Sequence, residues 1–160
     1  MAAPSPRPPD TRCPSPSRHR ARHRVRAHAA RVAAAAHRAV VAAGALARPP
    51  QCGRHLYVDL SPLAPGLAAR GVGDAQELED FLTGRLGMPA AGGHRFGDDL
   101  ETPRVRLCTA PLLGDTPEER AACLEADEPA ELPRVGRALN HVTTVLDDLR
   151  DDARRWESSR

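Results

Sequence analysis

The chain has 160 residues, a length that fits one ordinary domain, or a smaller one carrying an arm, and falls short of most multi-domain enzymes. Ala, Arg, Pro and Gly account for 79 of them and lysine is absent, which excludes any chemistry that needs a side-chain imine within this polypeptide. The formal charge of +2 conceals an asymmetry: residues 1–55 hold 11 Arg against Asp10 alone, whereas residues 56–160 hold 12 Arg against 20 acids.

Residues 1–23 contain six of the sixteen prolines, with Ser and Arg and almost nothing to bury, so an Arg/Pro-rich disordered arm is expected there. Its cationic character would suit a transit peptide or a phosphate-binding arm, but with so GC-biased a composition an arm without a function is the expected reading. His19, His23 and His28 lack acidic or Cys ligands at suitable spacing and are expected to be solvated and metal-free. From Arg24 to Gly44 the spacing of Val25, Ala29, Val32, Ala36 and Val40 predicts a leading helix, stopped by Gly44. Pro49 and Pro50 then connect to a strand over His55–Leu60, broken by Ser61-Pro62.

A short helix is expected over 62–70. Asp74 with Glu77 three residues later opens another over Ala75–Leu86, closed by Gly87. Met88–Gly97 is read as a glycine-rich loop with a short strand near His94–Phe96. The alternation in Arg104-Val105-Arg106-Leu107-Cys108-Thr109 predicts a half-buried strand. Thr116-Pro117-Glu118-Glu119 starts a helix running to about Ala126. Leu132, Val135, Leu139, Val142, Val145, Leu146 and Leu149 recur at steps of three and four in a final amphipathic helix from Pro133. This order predicts an α+β domain, a small sheet covered by helices on one face.

Only Tyr57, Phe81, Phe96 and Trp156 are aromatic, so the core is expected to consist of Leu, Val and Ala. Cys13, Cys52, Cys108 and Cys123 show no C-x-x-C spacing and follow no secretory signal, which points to free thiols and the cytoplasm. The longest apolar run, Ala39–Ala47, is well short of the roughly 20 residues that cross a bilayer.

Asp98, Asp99 and Glu101 beside Arg104 and Arg106 read as a solvated charge cluster. No Ser-His-Asp order and no phosphate loop is present. The turn Gly92-Gly93-His94-Arg95-Phe96-Gly97, followed by a strand carrying Arg106, is suited to clamp a carboxylate, because a guanidinium can hold both oxygens through parallel hydrogen bonds.

Together these segments resemble the C-terminal small domain of class I/II, fold-type-I aminotransferases, which use pyridoxal phosphate. The resemblance covers residues 24–156, with the helix at 24–44 leading in. It rests on Arg48-Pro49-Pro50-Gln51 before Leu56-Tyr57-Val58-Asp59, on the helix after Gly71, on Gly92–Gly97 as the family's Pro-Gly-x-x-Phe-Gly turn, and on Val105-Arg106-Leu107 as its arginine strand. The resemblance implies that Arg106 binds the α-carboxylate of an amino-acid or keto-acid substrate, that pyridoxal phosphate is the cofactor, and that homodimers are usual. The family's cofactor-bearing large domain and its lysine are missing, so the chain looks like a fragment, a partial aminotransferase inactive alone. The alternative is a small non-catalytic protein whose Arg-rich arm binds a polyanion or another partner. That arm carries no aromatic residue for stacking, so nucleic acid is not the expected ligand.

Overall fold

A computed structural model describes residues 16–50 and 53–159, with side chains from residue 23 onward. Helix α1 (Pro16–Ala42) starts eight residues before the expected position, inside the segment read as an arm; the rest of that arm lies outside the described residues. Pro16 sits in the first turn, where its missing N–H leaves no helical bond unmade. Beyond it Arg and Ala are strong helix formers, and no proline follows before Pro49. Ala29, Val32, Ala36 and Val40 are buried as the spacing predicts, while Val25 is exposed. His28 is also buried, contrary to the solvated reading, and its Nδ1 finds no hydrogen-bond partner. His28 stands beside buried Ala29 and one turn before buried Val32, so helical periodicity puts it on the inward face.

After Gly44, whose φ of 98° turns the chain, come β1 (Leu46–Ala47) and β2 (His55–Asp59). A 3₁₀ turn at Ser61–Leu63 leads into α2 (Ala64–Ala69). Helix α3 (Ala75–Leu86) has the bounds its caps predict: the Asp74 carboxylate accepts from the Gln76 and Glu77 amides, and Gly87 closes it in the left-handed region. The strand expected near His94–Phe96 lies earlier, as β3 (Ala90–Gly92), and Gly93–Phe96 form a 3₁₀ turn. The small residues of β3 let it approach α3, where Ala90 and Gly92 donate their amides to Thr83 Oγ1 and Glu79 Oε2. Strand β4 (Arg104–Cys108) follows, then α4 (Pro117–Glu125), opened by the Thr116–Glu119 capping box, and α5 (Pro133–Ser158).

The four strands pair antiparallel in the order β1-β2-β4-β3. Register sets Leu56 opposite Leu107 and Val58 opposite Val105, and all four side chains point inward. Helices α1 and α3 lie against that inner face, and α5 packs on α1 and α2 with Val135, Val142, Leu146 and Leu149 buried. At the α2–α5 crossing a Cβ on Gly66 would stand 2.0 Å from the Leu149 carbonyl oxygen, so the helices meet backbone to backbone. The fold is α+β, with helices on one face of a small sheet. Among the described residues no helix is long and apolar enough to cross a membrane.

Candidate functional site

The same alternation that buries Leu56, Val58, Val105 and Leu107 turns their neighbours to the uncovered face of the sheet. Three cross-strand rows result: His55 opposite Cys108, Tyr57 opposite Arg106, and Asp59 opposite Arg104. Ala91 of β3 extends the middle row beyond Arg106, and Leu46 of β1 extends the last beyond Asp59.

The arginines near this face differ in what they meet. Arg104 donates from Nε to Asp59 at 2.9 Å and from Nη1 to Asp98 at 3.4 Å. Arg95 grips both oxygens of Glu79, at 2.6 and 2.8 Å. Arg106, in the centre, pairs with no acid among the described residues. Its guanidinium carbon lies 4.2 Å from the centroid of the Phe96 ring, close enough for the ring's electron-rich face to attract the cation. Phe96 meets Tyr57 edge to face, with centroids 6.0 Å apart.

Glycines make that approach possible. A Cβ on Gly92 would lie 2.5 Å from the Ala75 carbonyl oxygen, and one on Gly93 would lie 2.7 Å from the Asp98 carboxylate and 3.0 Å from the Tyr57 hydroxyl. The turn can therefore seat itself against α3 and β2 only without side chains at these two positions, and Gly97, at φ 93°, then lets the chain leave it.

The Tyr57 hydroxyl donates to Asp98 Oδ2 at 2.5 Å. Partial loss of water around the half-exposed phenol, then the Asp98 hydrogen bond and charge, push its pKa up to about 12. Burial also pushes the Asp59 carboxyl up, but bonds from Ser61 and Arg104 together outweigh it and hold the group below the usual carboxylate range. His55 is held low, first by burial and then by the charges of Arg106 and Arg54.

Beside Tyr57, between the end of α1 and the sheet, lies a groove of about 770 Å³. Val41, Leu46 and Pro49 line it with Arg48, His55 and Tyr57.

Arg106 and Phe96, placed together by the clamp reading, are in contact. The acidic cluster divides instead of neutralising Arg106. Asp98 joins Tyr57 and Arg104, while Asp99 caps its own loop by accepting from the Glu101 amide. Tyr57 and the groove were not singled out from the sequence, although period-two alternation places Tyr57 opposite in sense to the buried Leu56 and Val58. Among the described residues no three His, Cys, Asp or Glu side chains gather into a metal-binding group.

The residues present do not fit pyridoxal phosphate as a covalently held group, because none of the 160 side chains is a lysine amine. No family model, curated protein or solved structure matches the chain.

Proposed function

We propose that this chain is the substrate-binding small domain of a class I/II aminotransferase, in which Arg106 holds the α-carboxylate of an amino acid or keto acid. The supporting observation is the state of Arg106: a guanidinium at the centre of an open sheet face, stacked on Phe96 and without an acidic partner among the described residues, while Arg104 and Arg95 beside it are paired. A planar fork with free N–H groups and one face covered by a ring is oriented to receive two carboxylate oxygens. The role is recognition and orientation. A lysine and the pyridoxal phosphate it carries would have to come from another domain or chain, with a second copy as the usual partner in such enzymes. Free thiols at Cys108 and buried Cys123 support a reducing compartment, the cytoplasm. The alternative, polyanion binding by the Arg-rich arm, would rest on the arginines of residues 1–23, whose side chains lie outside the described residues.

The test is calorimetric titration of the full chain with alanine and pyruvate against Arg106→Lys, with the Arg106 Nε–H resonance locating the contact in the wild type. An ammonium cannot make the two-pronged contact, so the variant should lose about 1.5 to 3 kcal/mol of carboxylate binding. Equal affinity in both proteins removes Arg106 from the site.

A further inference from the structure

Of the seven large apolar side chains exposed among the described residues, Val41, Leu46, Tyr57 and Phe96 gather on the open sheet face and its groove. Single exposed apolar residues are ordinary, but a cluster bordering a concavity marks a binding surface. The groove adjoins Tyr57, and Tyr57 stands directly across from Arg106 in the β2–β4 register. A ligand anchored at Arg106 therefore reaches the groove by crossing a single strand.

Of the charged side chains that line the groove, two are paired with each other, and Arg48 is the third. Asp59 and Arg104 satisfy each other, and Asp98 is held by Arg104 and Tyr57. The phenol is already donating to Asp98, so its ring lines the groove as an apolar surface along with Leu46.

We propose that the open face takes a monocarboxylate with an apolar or aromatic tail, the carboxylate at Arg106 and the tail in the groove between Leu46 and Tyr57. This deepens the reading of Arg106 as the carboxylate holder and rests on it. It specifies the substrate side chain: large and apolar rather than a second acid.

The experiment titrates the full chain with acetate, hydrocinnamate, hydrocinnamyl alcohol and glutarate by calorimetry, with the Arg106 Nε–H and Leu46 methyl resonances locating each ligand in the wild type. Hydrocinnamate should bind about tenfold or more tighter than acetate, since several tail carbons leave water. The alcohol should bind much more weakly than the acid, and glutarate should gain little over acetate. Leu46 is 58% exposed, so Leu46→Ser leaves the core intact and should return hydrocinnamate towards the affinity of acetate.

Equal binding of acetate and hydrocinnamate, both lost in Arg106→Lys, overturns the tail site while leaving the carboxylate reading standing. Glutarate binding tighter than hydrocinnamate overturns it in favour of a dicarboxylate reaching Arg48. Alcohol binding equal to the acid reduces the groove to an apolar site separate from Arg106 and also overturns it. Absence of any carboxylate binding overturns both readings.

Discussion

Tyr57 is the only tyrosine in the chain, so its ionisation can be followed in the intact protein without interference from another phenol. Its pKa of about 12 stands above the ordinary 10.0, so folding favours the protonated form. The associated stability is fully present below pH 10.0 and is lost as pH rises through the folded value. Ultraviolet titration of the phenolate should show the raised midpoint, and Asp98→Ala should bring it back towards the ordinary value by removing the hydrogen bond and the charge. An unchanged midpoint would mean that burial alone sets it. The sequence made one half of this site legible and hid the other. Arg106 and Phe96 are ten residues apart, and a glycine turn followed by an arginine strand is a local pattern. Tyr57 and Asp98 are 41 residues apart, and their contact depends on the β2–β4 register, which no local pattern encodes.

Two elements hold the turn and the helical layer in place, and each gives a test. Glu79 of α3 accepts from Arg95 through both oxygens and from the Gly92 amide, fastening the glycine turn to the helix. The Arg95 bond, more than the opposing cost of burial, holds its carboxyl below the usual 4.5. A depressed carboxyl stabilises the fold above its unfolded pKa and loses that contribution as pH falls through the folded one. The stability gap between the wild type and Glu79→Gln, read by denaturant unfolding, should therefore narrow below about pH 4.5. A gap that stays constant into acid would count against this fastening. Gly66→Ala places a methyl against the Leu149 carbonyl and should cost about 3 kcal/mol or more, because neither backbone can yield alone. A thermal midpoint like that of the wild type would mean the helices can separate without loss.

Helices with capping chemistry were legible nearly to the residue, as α3 shows with Asp74 and Gly87. Strand β1 was not, since two residues cannot display an alternation, and they are extended only because β2 is beside them. The aromatic Phe96 drew the expected strand past Ala90–Gly92, a segment too small-sided to announce itself. The start of α1 was hidden by a proline that in the first turn costs nothing.

At the scale of the whole molecule, a chain of 23 arginines and no lysine should not transaminate by itself. With the amino terminus blocked, incubation with pyridoxal phosphate, an amino acid and a keto acid should give amino-group transfer no faster than cofactor alone. Transfer above that control would require an imine-free site and would sink the small-domain reading. The sheet has another property that bears on how copies of this chain can meet. Its outer strands are stubs: β1 spans two residues and runs into Pro49 and Pro50, and β3 spans three before the chain coils into a 3₁₀ turn. Prolines offer no amide to an incoming strand, and a three-residue border gives too few bonds to recruit one. Neither edge of this sheet gives a copy of the chain a backbone ladder long enough to extend into a continuous ribbon.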